Sequence, residues 1–435
     1  MAPSSTLPIF LLSLFLLSSS PNAKTLTTNP KAFIFPIQKD GTTNQYYTTI
    51  QIGSNRTTIN MIIDLGAKFA WFNSEDYFSA ASSYRPILCD TRQCRIADGI
   101  GCTFCFLSPP VPRCTNNTCT DYALNPFTGT QDYSGLGTDV LLVQSTGGVQ
   151  YTLKNFPFQF SADALRDGLA SVASGAIGLG RTKISLQAQL ASAYGIPQKF
   201  GLCIPSSGKV GNMIFGKTVY RNTFQEISES LLTTPLIRNP VATDMNDQIG
   251  NFSVEYFIGV KSIRVGSKTL SLNKTLLSID KKTGGGGTSI RTVRPYTGLE
   301  RSIYKALVNE FVKAAVSMNI TRVKSVAPFG ACFDSKTIGG SKTGARVPTI
   351  DFVLRSNDVY WRFYGSNSMV RVGNDVLCLA FVEGGINLTG PTTSVVVGGY
   401  QMENNLLEFD VDNKRLGFSS SLLLHDTSCS QFGAS

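Results

Sequence analysis

The sequence predicts a mainly β protein built as two similar lobes, and three observations carry that reading. Short alternating runs such as "YYTTIQIG" (46 to 53) and "SVEYFIGVKSIRVG" (253 to 266) recur between turn signals. The chain has 435 residues, more than one hydrophobic core usually holds. A signature of apolar residues meeting glycine, followed by a helix or a hairpin, occurs in each half.

In chain order, "LPIFLLSLFLLSSS" (7 to 20) is too short to span a bilayer and is followed by small residues ending in "PNA". It reads as a secretory signal removed near Ala23, without the Lys or Arg that usually precedes such a core. No other run is long and apolar enough to span a membrane, so the expectation is a secreted, extracellular protein. Next comes "MIIDLGAKFAWF" (61 to 72), an apolar strand ending in Asp64 and a glycine. A cysteine-rich insertion (89 to 119) follows, then a hairpin around "QDYSGLGTDVLLV" (131 to 143) and "GAIGLGRTKISLQAQLA" (175 to 191).

The second half repeats the order. "GGGGTSIRTVRPYTGLERSIYKALVNEFVKAA" (284 to 315) runs from a glycine turn through a strand to a helix, and "TSVVVGGYQMENNLLEFDVDNKRLGFS" (393 to 419) again brings apolar residues to glycine and then a hairpin. The expected organisation is signal 1–23, first lobe 24–230 and second lobe 231–435, facing each other across a cleft.

Ten cysteines in a chain expected to be secreted read as disulfides. Cys89, Cys94, Cys102, Cys105, Cys114 and Cys119 are expected to pair among themselves in one of fifteen arrangements. "CTFC" (102 to 105) has zinc-like spacing but lacks the second ligand pair a structural zinc needs, so no metal is expected. Six N-X-S/T sequons, at Asn55, Asn116, Asn251, Asn273, Asn319 and Asn387, add the expectation of N-glycosylation. The net charge of +10 comes from scattered Lys and Arg rather than basic clusters interleaved with aromatics. That pattern argues against nucleic acid; the counter-charge expected is acidic wall polysaccharide or acidic protein, against the plainer reading of a surface kept soluble.

At these residues the chain resembles the pepsin-type aspartic protease fold over nearly its whole mature length. More narrowly, it resembles a plant secreted branch containing extracellular dermal glycoprotein, seed basic globulins, and inhibitors of xylanases and xyloglucan-specific endoglucanases. "SVEYFIGVKSI", "SVAPFGACF" (325 to 333) and "GSNSMVRV" (365 to 372) are most similar to the endoglucanase inhibitors. The resemblance implies disulfides Cys332–Cys378 and Cys203–Cys429. It also implies a lost pair, since Ser74 and Ser161 stand where relatives commonly carry cysteine.

Aspartic proteases need two carboxylates close enough to share a proton, each in Asp-Thr/Ser-Gly. Here Asp64 lies in Asp-Leu-Gly, with Ala67 also lacking a hydroxyl, and "TSIRTVRPYT" puts Arg291 at the matching aspartate and Val293 at the matching glycine. A permanently cationic guanidinium cannot share that proton, so no catalytic residue and no cofactor is expected. Asp64 is expected to pair with Arg291 across the vestigial dyad. With a single histidine, His425, multi-histidine metal sites are excluded, and "GGGG" (284 to 287) lacks the Lys-Ser/Thr of a phosphate loop.

The resemblance moves the expected function to loops. The related inhibitors insert side chains from two second-lobe segments into a glycoside hydrolase cleft. In this chain Lys342 stands in the first segment, where the endoglucanase inhibitors have arginine, and His425 in the second, four residues before Cys429 as in the xylanase inhibitors. Lysine keeps the charge without the two-pronged geometry, and Asp426 would repel an acidic cleft. Three functions follow, in this order: a plant-defence inhibitor of a microbial endoglucanase or xylanase acting in the apoplast or cell wall, a binding or storage-like glycoprotein without a hydrolase target, and last a residual aspartic protease.

Overall fold

The computed structural model describes residues 1, 30–77, 83–104, 116–206, 208–217, 220, 223–242, 251–384 and 392–433. The cleavage position at Ala23, together with Cys105, Cys114 and Asn387, lies outside the described residues. The fold is mainly β, as alternation predicts. In Tyr46–Ile52, Tyr46, Thr48, Ile50 and Ile52 are buried while the residues between them are more open, which is the period-two pattern of a sheet with one covered face.

That strand pairs antiparallel with Thr57–Asp64. From there the sheet follows a path: Thr57–Asp64 runs parallel to Gly175–Gly178, which runs antiparallel to Ala70–Asn73, which runs parallel to Gln150–Ser161. The second half repeats it. Tyr256–Ile258 pairs antiparallel with Thr288–Ile290, which runs parallel to Val395–Val397; this is antiparallel to Thr297–Leu299, itself parallel to Phe381–Glu383. Parallel neighbours require long crossovers, and the insertions and helices occupy them. Helix Leu186–Tyr194 ends at Gly195 in the left-handed region, and helix Arg301–Ser317 starts at Glu300, whose carboxylate accepts from the Ser302 and Ile303 N–H groups.

Six antiparallel strands join the halves from below. Their order is Ala32–Lys39, Gly211–Gly216, Lys199–Cys203, Leu406–Asp410, Arg415–Phe418 and Leu232–Ile237. At the middle seam Phe200 lies opposite Phe409, their rings stacked with centroids 4.8 Å apart and planes 9° from parallel. Both rings are fully buried, and deleting such a ring costs about 3–5 kcal/mol. Cys203, on the same strand, is bonded to Cys429 near the C-terminus, while Cys332 is bonded to Cys378 on the adjacent strand.

The clustered cysteines form two bonds among the described residues, Cys89–Cys102 and Cys94–Cys119. Cys102 is therefore oxidised and cannot serve "CTFC" as a zinc thiolate. Ser161 lies opposite Asn73, the residue before Ser74, on parallel strands. In the glycine run 284–287, Gly284, Gly286 and Gly287 have positive φ, and a Cβ on Gly286 would lie 2.3 Å from the Ser278 carbonyl oxygen. Asn55, Asn116, Asn273 and Asn319 are exposed and Asn251 is half-buried. No helix among the described residues is long and apolar enough to cross a membrane.

Candidate functional site

Two places collect the side chains that the sequence singles out. One is the floor of the cleft. Asp64 ends strand Thr57–Asp64 opposite Gly178, and Arg291 lies one residue beyond the Ile290–Val397 pair. The two residues therefore hold corresponding positions in the repeated path. Asp64 is 2 % exposed and its Oδ1 accepts from the Gly66 N–H at 2.7 Å. Arg291 Nη1 lies 3.8 Å from that oxygen.

The closer partner of Arg291 is one that sequence reading missed. Its Nη2 donates to Oε1 of Glu255, a buried carboxylate just before strand Tyr256–Ile258. The signal was present as a lone acid in the otherwise apolar run "SVEYFIGV". Burial raises the pKa of Asp64, while the Arg291 charge and the Gly66 N–H pull it down. The guanidinium thus bridges two buried carboxylates, and its hold on Glu255 is the tighter. Gly66 is required by this arrangement, since a Cβ there would stand 2.4 Å from Arg291 Nη1.

The backbone around the pair is clasped from one side. The Thr292 hydroxyl donates to the Ile63 carbonyl and accepts from the Leu65 N–H at 3.3 Å. Leu65, in the corresponding position of the first half, has no hydroxyl to return the contact and is fully buried instead. The recess that Asp64 and Arg291 line, together with Trp71, Tyr122 and Glu255, holds about 30 Å³. That is room for a water or two, while a second recess of about 290 Å³ is also lined by Glu255 and Arg291.

The other place is on the surface of the second half. Lys342 sits between the short strands Gly340–Ser341 and Gly344–Ala345. This turn is pinned to the body: the Ser366 N–H donates to Thr343 O at 2.8 Å, and Gly344, at φ +93°, passes so close that a Cβ would lie 2.5 Å from Ser366 N. His425 ends a short 3-10 turn, Leu422–His425. Leu422 is fully buried and donates its N–H to Asn404 O at 2.8 Å, and Cys429 anchors the other side through its disulfide.

The two segments meet. Lys342 Nζ lies 2.7 Å from Asp426 Oδ2, with 48 % and 83 % of the two side chains exposed. His425 and Leu424 are exposed beside them. The arrangement offers a solvent-facing imidazole and an ammonium on rigid supports. Asp426 offsets part of the positive charge while itself being neutralised.

Comparison with known proteins gives a consistent picture. The family model described as xylanase inhibitor N-terminal matches residues 46–217, and that described as xylanase inhibitor C-terminal matches 255–420. The chain is 45% identical over 434 residues to a probable aspartic proteinase GIP2 of Nicotiana benthamiana, covering 98% of this chain and 97% of the relative. It is 36% identical to gamma conglutin 1 of Prunus dulcis, covering 97% and 94%. Among solved structures it superposes on edgp with a TM-score of 0.88 at 42% identity, covering 93% of this chain and 98% of that one. On basic 7S globulin from soybean the TM-score is 0.78 at 30% identity, covering 92% and 98%.

Proposed function

The chain belongs to the xylanase-inhibitor-like family of the pepsin-type fold, alongside gamma conglutins and basic 7S globulins, and from that premise we propose that it is a secreted, catalytically silent member that inhibits a microbial glycoside hydrolase in plant defence. The target class is an endoglucanase acting on xyloglucan or a xylanase. In this reading residues 1–23 are a signal peptide, 24–230 and 231–435 are the lobes, and the sequons carry glycans.

The meeting of the Lys342 turn with the His425 segment is the observation that carries the proposal. A retaining hydrolase holds two carboxylates about 5 Å apart. An ammonium and an imidazole N–H presented together can address both, and supports fixed by Leu422, Cys429 and Gly344 keep the entropic cost of presentation low. The cleft floor supports silence as a protease: in place of a second carboxylate able to share a proton stands Arg291, tied to Glu255.

Titration of the purified protein into microbial xyloglucanase and xylanase assays tests the proposal, with His425→Ala and Lys342→Ala alongside. The expected result is inhibition of one enzyme class, weakened by either substitution. No inhibition of either class at micromolar protein would sink the proposal. Cleavage of an unstructured protein at acid pH, abolished by Asp64→Ala, would overturn the silence. The family likeness to gamma conglutin and basic 7S globulin favours a storage-like or binding glycoprotein as the second reading, which an inhibition-negative result would leave standing.

A further inference from the structure

Cations scattered along the sequence are gathered on one flank of the fold. Arg92, Lys154, Arg181, Lys183, Arg238 and Lys414 all line a recess of about 1030 Å³ that spans both halves of the chain. Asp412 is the only acidic side chain among the described residues lining it. None of the six cations makes an ion pair among the described residues, whereas elsewhere Lys39, Lys199, Arg264 and Arg362 each have a carboxylate within 3.1 Å. A neighbouring recess of about 330 Å³ shares Arg181, Lys183 and Arg238 and adds Arg95, the acidic Asp98, and Lys68, which lies 3.7 Å from Asp121.

Two of the cations, Arg181 and Arg238, are held in place. Arg181 is half-buried, donates to the carbonyls of Ile237 and Glu255, and leaves its Nε buried without a partner. Burial lowers its pKa to about 10, with the charge of nearby Arg238 acting in the same direction. Arg238 itself lies over the Phe252 ring at 4.3 Å. Like charges so placed raise each other's energy, and an anion between them relieves it.

We propose that this flank is a binding surface for an acidic polysaccharide of the uronate class. A polymer with regularly spaced carboxylates can engage several cations at once, so weak single contacts sum along its length. The walls between the cations carry Gln93, Asn155, Gln189 and Gln198, whose amides suit a hydroxyl-rich chain. The larger recess is lined by Ile, Leu and Val and, among the described residues, by no aromatic side chain. Phe252, in the neighbouring recess, is the one ring there among the described residues and lies under Arg238, so the flank lacks the row of rings on which single-stranded nucleic acid stacks successive bases. The surface is separate from Lys342 and His425, so its function stands or falls independently of hydrolase inhibition.

The test is retention of the purified full chain on immobilised polygalacturonate, with methyl-esterified polygalacturonate and dextran as uncharged comparisons. Retention is expected on the acidic polymer alone, weakening as salt shortens the range of the field. Lys154→Gln/Lys183→Gln/Arg238→Gln is expected to weaken binding by about tenfold or more. Lys268→Gln/Lys305→Gln/Lys313→Gln, which removes the same charge from exposed positions elsewhere, is expected to stay within about twofold of the parent protein. Equal losses in the two triple variants, retention on dextran, or tighter binding of a single-stranded oligonucleotide would each overturn the proposal.

Discussion

Lys342 and Asp426 are joined at 2.7 Å across 84 residues of sequence, both of them exposed to solvent. An exposed pair of this kind contributes between about zero and 1 kcal/mol. Asp426→Asn should therefore leave the urea midpoint nearly unchanged while releasing the Lys342 charge. Inhibition of a carboxylate-lined hydrolase cleft is expected to strengthen. A weaker inhibitor would show that the partner recognises the pair rather than the free ammonium.

Removing Arg291 should be far more costly. Arg291→Met strands Glu255 and Asp64 as buried charges, and the loss of one partner from such a group typically costs about 3–5 kcal/mol. Denaturant unfolding at neutral pH measures it. Most of the loss should return in Arg291→Met/Glu255→Gln, because the closer carboxylate is then neutral; a double variant as unstable as the single one would locate the damage in packing instead.

Asp64 sets a pH dependence whose sign can be worked out. Burial raises its folded pKa above the unfolded value, so the folded state binds the proton more readily. Its contribution to stability is complete below the unfolded pKa near 4 and is lost as pH rises through the folded pKa. Asp64→Asn keeps an acceptor for the Gly66 N–H and should raise the thermal midpoint near neutral pH. The two proteins should converge in acid, and a variant less stable at neutral pH would mean that Arg291 holds Asp64 ionised.

The one-sided clasp gives a smaller effect. Thr292→Val leaves the Leu65 N–H without its acceptor and the Ile63 carbonyl without its donor, a cost of about 1–3 kcal/mol for buried groups. Chemical denaturation gives the number. A change below a few tenths would mean that water replaces the hydroxyl.

The fold was legible because its signals are local and repeated. Alternation marks the strands, and apolar residues running into Gly178 and Gly398 mark the two parallel crossings. The floor of the cleft was legible only in part. Arg291 is visible against Asp64, but Glu255 stands just before a strand more than thirty residues earlier, and nothing local says that it turns inward. Cysteine connectivity was closed to sequence for a related reason: fifteen pairings are equally spaced on paper, and only the strand pairing Gly101–Thr103 with Thr118–Thr120 puts Cys119 opposite Cys102 while bonding each elsewhere. The cation-lined flank is the extreme case, since its members span Arg92 to Lys414 and look dispersed until the chain is folded.

The seam between Lys199–Cys203 and Leu406–Asp410 fixes a timetable for biosynthesis. When a ribosome has released about the first 220 residues, Phe200 and Leu202 lie on a strand whose outer edge has no neighbour. The strand that covers them is made about two hundred residues later, and the cysteine that locks Cys203 later still. An unpaired edge bearing large apolar side chains recruits other strands. A nascent or truncated chain ending near residue 220 is thus expected to associate with its own kind or with a chaperone until the C-terminal strands arrive.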